Sequence, residues 1–119
     1  MIRTAECVSP MHPDKMCDRI SDTLLDLHLE QDPKSRVAIE TCGGNGLVYI
    51  TGEVTSTAII TEEEIKKVVH DVTTDDTIEV IININSQSPE IANGVDTGGA
   101  GDQGIMIGYA CRDLSLIHI

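Results

Sequence analysis

The chain contains no tryptophan and no phenylalanine, and its only aromatic residues of that class are Tyr49 and Tyr109. Any core must therefore be assembled from aliphatic side chains. Positive charge is also scarce: 8 lysines and arginines stand against 20 aspartates and glutamates, for a formal charge of -12. A nucleic-acid-binding domain presents a basic stripe, and its absence sets that partner aside. A bound polyanion would need metal cations or a second chain to neutralise it. No apolar run approaches the roughly 20 residues of a membrane helix, and residues 1–15 lack the apolar stretch of a secretory signal. The cysteines (Cys7, Cys17, Cys42 and Cys111) form no C-x-x-C pair and have no histidine at zinc spacing. Reduced thiols in a cytoplasmic protein with no membrane contact are expected. With 119 residues there is room for one domain and one core.

What the chain does have begins at His12-Pro13-Asp14-Lys15. Proline at a first helical position is pre-set for the turn and lacks an N–H that would be unpaired there. Behind it Met16, Ile20, Leu24 and Leu27 recur at helical spacing, which predicts a helix to about Gln31 with one buried face. The entrance thus collects an imidazole, a carboxylate and an ammonium at the positive end of a helix dipole. Such an end favours phosphate oxygens, and a carboxylate beside it suits the magnesium that phosphates carry. The plain alternative is a helix start with charged surface residues.

Residues 2–9 read as a short strand before this helix, and Gln31-Asp32-Pro33-Lys34 as the breaker after it. Residues 36–41 and 47–55 then predict two strands around Gly43-Gly44-Asn45-Gly46. A tip at Gly44-Asn45 puts Val37, Ile39, Val48 and Ile50 on one face. Alternation sends Arg36, Ala38, Glu40, Tyr49, Thr51 and Glu53 to the other. Glu40 and Glu53 then share a side, either as part of a solvated face or as a carboxylate pair facing a cation. Thr61 with Glu64 has capping-box spacing, and Ile65, Val68, Val69 and Val72 mark the buried stripe of a second helix. The acidic run Glu62–Glu64 complements that helix's dipole and is structural. Residues 79–85 are a β-branched strand. The order strand, helix, two strands, helix, strand predicts an α+β fold, two layers with helices packed on a mostly antiparallel sheet.

From Ser86 the composition shifts to glycine, acids and amides. Residues 86–98 read as a mobile loop closing an N-terminal domain of residues 1–98, and residues 99–113 as the start of a central domain opening on a strand at 105–110. Gly99, Gly101 and Gly104 satisfy G-x-G-x-x-G, but a dinucleotide site needs a strand before these glycines and a helix on them. Here a loop precedes and a β-branched segment follows, so that reading fails. No G-K-[ST] follows either, which removes the P-loop.

The segments ECVS-x-x-HPDK, DRISD, EQDPKSRVAIET, TGEVT, QSPEIANGVD and GAGDQGIMIGYA, in this order over residues 3 to about 113, resemble the N-terminal part of the S-adenosylmethionine synthetase (methionine adenosyltransferase) family. The resemblance implies an enzyme. Methionine sulfur attacks the ribose C5′ of ATP and expels the triphosphate, which is cleaved to phosphate and diphosphate. It implies catalytic and ATP-contacting roles for His12 and Lys15, Mg2+ on Asp14 with Glu6 as a further ligand in some members, and K+ at Glu40. Glu53, Gln87 and Asp102 match methionine-binding positions. A homodimer or dimer of dimers with its active site between subunits is implied as well. The alternative is a non-catalytic magnesium- and nucleotide-binding or interaction module.

Two local departures stand out: Pro10-Met11 replace an acidic residue and glycine, and the segment 96–99 is shorter than the lid of many members. The family chain is roughly three times longer than this one, so a fragment inactive by itself is expected. Residues 114–119 (LSLIHI) are what CTGTCTCTTATACACATC encodes, a transposon end used in sequencing libraries, and are expected to be a non-native tail with no role for His118.

Overall fold

The computed structural model of the chain describes residues 1–2, 4–86, 105 and 107–108. Among these are helix α1 (Pro13–Gln31), strands β1 (Arg36–Gly44) and β2 (Leu47–Thr55), helix α2 (Glu62–Thr73) and strand β3 (Glu79–Ser86). The sheet order is β1-β2-β3, with β1 and β2 antiparallel and β2 and β3 parallel. The class is α+β as expected, and the described sheet is mixed, because α2 carries the chain back to start β3 in the direction of β2.

One face of the sheet is apolar. Ile39, Val48 and Ile50 are buried there against Ile20 and Leu24 of α1 and Ile65, Val68, Val69 and Val72 of α2. Val37, Val54, Val80, Ile82 and Ile84 extend the same face. Both helices therefore lie on one side, in two layers. Fully burying Ile20, Leu24, Ile50 and Val69 stabilises the fold by roughly 1.5–3 kcal/mol each. The α1 stripe continues one position beyond Leu27: His28 is buried, and its Nδ1–H donates to the Leu24 carbonyl at 2.7 Å.

The hairpin corrects the expected register. Its two-residue turn is Asn45-Gly46, with φ of 54° and 77°, so Gly44 pairs with Leu47 and Ile39 with Gly52. A type I′ turn needs positive φ at both central residues, which asparagine followed by glycine supplies at least cost. Every partner moves by two residues from the register predicted with a Gly44-Asn45 tip, and because the side-chain period is also two, each residue keeps its face.

The strand expected at residues 2–9 is not formed: residues 2 and 4–9 belong to no ladder, and Met1 and Ile2 are fully exposed. Of the strand expected at 105–110, Ile105, Ile107 and Gly108 are described, in no strand and exposed. The loop expected at 86–98 lies, beyond Ser86, outside the described residues.

Candidate functional site

The approach to α1 is a hydrogen-bonded turn. The His12 N–H donates to the Ser9 carbonyl at 2.9 Å, and the Met11 N–H donates to Ser9 Oγ at 3.2 Å. Pro10 occupies the second position of this turn, where its fixed φ is suited. Among the described residues the non-glycine ones with positive φ are Asn45 and Thr74, so Met11 sits here without the left-handed backbone that would call for glycine. His12 is the N-cap, extended at φ -67° and ψ 140°, and its Nδ1 accepts the Asp14 N–H at 3.2 Å. The His12 carbonyl accepts the Met16 N–H at 3.0 Å.

His12, Asp14 and Lys15 are thus brought together on the exposed first turn of α1, with 45% of the His12 and 83% of the Asp14 side chain open to solvent. Nδ1 of His12 is 3.8 Å from Asp14 Oδ2. Glu6 lies upstream in the segment without secondary structure and is exposed.

The second group lies on the opposite face of the sheet. Glu40 pairs with Thr51 and Glu53 with Ala38, which makes the two residues diagonal neighbours across the hairpin, a relation that sets backbones about 7–8 Å apart. The register predicted from the sequence would have set them two pairs further apart. Glu40 is exposed and Glu53 half-buried. Beside them Asn83 Nδ2 donates to the Tyr49 hydroxyl at 3.1 Å. Hydrogen bonds from Asn83, then Thr51, hold the Tyr49 phenol below its usual range. Asn83 and Asn85 reach this face because Ile82 and Ile84 alternate with them into the core. That alternation was present in the sequence as INI, and it was the signal for this polar addition.

Gln87 and Asp102 lie outside the described residues. The structure therefore brings the described candidates together in two groups, the α1 entrance in the helix layer and the hairpin acids on the sheet face that neither described helix covers. A cavity of about 260 Å³ separates the α1 entrance from the hairpin tip, lined by Met11, Pro13, Cys17, Gly43, Leu47 and Ile78 among others. None of His12, Asp14, Lys15, Glu6, Glu40 or Glu53 lines it. Cys17, at its edge, has its thiol pushed up by burial and by the nearby Cys42, Asp14 and Asp18. Cys7, Cys17 and Cys42 are free thiols.

Among the described residues no three His, Cys, Asp or Glu side chains converge as a ready metal cage. The exposed carboxylate of Asp14 instead fits a magnesium ion held mainly by substrate phosphates and water, which takes one or two protein carboxylates. The Glu40 carboxylate is likewise single and exposed. No described helix is long and apolar enough to cross a membrane.

Residues 1–89 match the family described as S-adenosylmethionine synthetase, N-terminal domain. The S-adenosylmethionine synthase of Salinibacter ruber (strain DSM 13855 / M31) is 48% identical over 122 residues, covering 92% of this chain and 32% of that protein. The solved structure of an unusual S-adenosylmethionine synthetase from Campylobacter jejuni superimposes with a TM-score of 0.65 at 33% identity, covering 70% of this chain and 26% of that one. The chain thus spans about a third of the length of the curated relative it matches.

Proposed function

The chain belongs to the S-adenosylmethionine synthetase family, and from that premise we propose that it supplies the N-terminal part of a cytoplasmic methionine adenosyltransferase, a transferase that joins ATP and L-methionine. The observation that carries the reading is the grouping of His12, Asp14 and Lys15 on one exposed, capped helix turn. A thioether sulfur needs no base to attack. As the S–C5′ bond forms, the C5′–O5′ bond breaks, the electron pair leaves with the triphosphate, and the sulfur becomes a sulfonium. The protein's task is to align the two substrates and to stabilise negative charge growing on the leaving oxygen.

His12 and Lys15 serve the phosphate end of ATP: the imidazole donates a hydrogen bond and the ammonium supplies charge. Asp14, with Glu6 as a further candidate, holds Mg2+, which when bound neutralises phosphate charge. Glu40 holds K+. Glu53, with Gln87 and Asp102, receives the amino-acid end of methionine, where a carboxylate pairs with the ammonium. The two groups lie in different layers of one chain, which supports an active site assembled between two subunits of a homodimer, or of a dimer of dimers. Each copy then offers its α1 entrance to the partner's sheet face opposite the helices.

Calorimetric titration of the full-length gene product with ATP, magnesium and methionine tests the reading. Methionine affinity is expected to fall at least tenfold in Glu53→Gln and Gln87→Ala, with nucleotide affinity retained. A full-length protein that binds nucleotide but ignores methionine would instead be a non-catalytic nucleotide-binding module. Residues 1–119 alone are expected to form no detectable S-adenosylmethionine, and turnover by them would contradict the two-subunit, multi-domain site.

A further inference from the structure

We infer that α1 itself fixes which nitrogen of His12 carries the proton, so that Nε2–H is the ring's outward hydrogen-bond donor. The inference rests on the reading of His12 as a phosphate-facing group and specifies the atom that acts. The Asp14 backbone N–H lies 3.2 Å from Nδ1. A peptide N–H can only donate, so Nδ1 must present its lone pair, and a neutral imidazole in that state carries its proton on Nε2. The opposite tautomer would set two N–H groups against each other and leave one of the helix's first N–H groups without its cap.

The backbone that carries the ring is fixed at this contact. It is held on both sides, the His12 N–H by the Ser9 carbonyl at 2.9 Å and the His12 carbonyl by the Met16 N–H at 3.0 Å. The N-cap dihedrals place Cβ where the side chain folds back over the helix start. Among the described residues Nε2 has no hydrogen-bond partner, and nearly half of the side chain faces solvent. One ring thus does two jobs: Nδ1 caps the helix, and Nε2–H is left oriented and unpaired for an anionic oxygen. A donor aligned before the charge develops is the arrangement that stabilises a leaving group most effectively.

Two measurements on the full-length protein test this. In the ligand-free protein labelled with 15N in its histidine rings, long-range 15N–1H spectra, followed upward in pH until the ring signals stop moving, should show Nδ1 unprotonated and Nε2 protonated. The His12 signals are assigned by their loss in His12→Ser. The reverse tautomer, or averaging between the two, would overturn the inference whatever the activity. Serine is itself a strong N-cap, so His12→Ser should keep the wild-type melting temperature while kcat falls about 100-fold or more, with the KM for ATP little changed. An unchanged kcat beside the stated tautomer would overturn the assignment of Nε2–H as donor to the leaving group, and with it the proposed role of His12. A lost kcat beside the wrong tautomer would leave that role standing and remove only the cap.

Discussion

Two single positions carry backbone conformations that their neighbours decide. Gly52 sits in the middle of β2 at φ +154°, and a Cβ built there would drive into the carbonyl oxygen of Ala38 and the Cα of Ile39 in the facing strand. Because both obstacles are main chain, no rotamer change relieves them. Gly52→Ala should destabilise the fold by about 2 kcal/mol or more, seen as a lower urea midpoint, and because Glu53 is the next residue, its placement should suffer too. Thr74, the C-cap of α2, is the converse case. It holds φ 56° and ψ 27°, a left-handed conformation that costs a β-branched residue energy and glycine little. Thr74→Gly should raise stability by about 1 kcal/mol in the same denaturation measurement. A fall would mean that the Thr74 hydroxyl bond to the Thr73 carbonyl at 2.7 Å outweighs the backbone strain.

At the scale of elements, the last turn of α1 is fastened to the β2–α2 connection by side chains acting on backbone. The Gln31 amide exchanges two hydrogen bonds with Ile59, and the Asp32 carboxylate accepts the Thr57 N–H at 2.9 Å and the Lys34 N–H at 3.0 Å. Ser35 and Ser56 share a hydroxyl bond of 2.6 Å alongside. The Asp32 carboxyl is held below the usual carboxylate range, first by the Thr57 N–H and then by that of Lys34. A lowered folded-state value means that the unfolded chain takes up the proton first as pH falls. The stabilisation is therefore present in full above the unfolded value of about 3.9 and disappears as pH falls through the lower folded one. Asp32→Asn should lower the melting temperature at neutral pH, and the gap from the wild type should close below about pH 4. A gap that persists unchanged to low pH would mean that the stabilisation does not depend on the ionised carboxylate.

These same elements show what the sequence made legible. The ends of α1 and α2 were readable because caps are local: His12-Pro13 opens one, and Thr61 with Glu64, whose box is complete, opens the other. The faces of the hairpin were readable because apolar alternation fixes them. Its register was not, since Gly44-Asn45 and Asn45-Gly46 both suit a tight turn; moving the tip by one residue moves every partner by two, which leaves the faces unchanged. A strand at residues 2–9 could not be judged from its own composition, because a strand exists only where a neighbour offers it a ladder. The two groups of candidate residues were each visible in the sequence. Their separation into different layers was not, because it depends on which side of the sheet α1 covers.

For the whole molecule, that separation is the decisive property. The helices cover one side of the sheet, while Glu40, Tyr49, Glu53, Ile81 and Asn83 occupy the other; Tyr49 is 37% and Ile81 42% exposed. If the proposed site is built between copies, each needs the α1 entrance of one chain and the sheet acids of its partner. Twofold symmetry then gives two sites per pair, and lesions in the two groups become separable. Full-length His12→Ala and Glu53→Gln proteins should each be inactive alone. In a pair containing one of each, one site receives both lesions and the other receives neither. A statistical mixture, in which half of the pairs are hybrids with one intact site, should recover about a quarter of the wild-type rate. If His12 and Glu53 of the same chain served one site, every site in the mixture would carry a lesion. Co-expressing the two variants would then recover nothing, and the two-chain site would have to be abandoned.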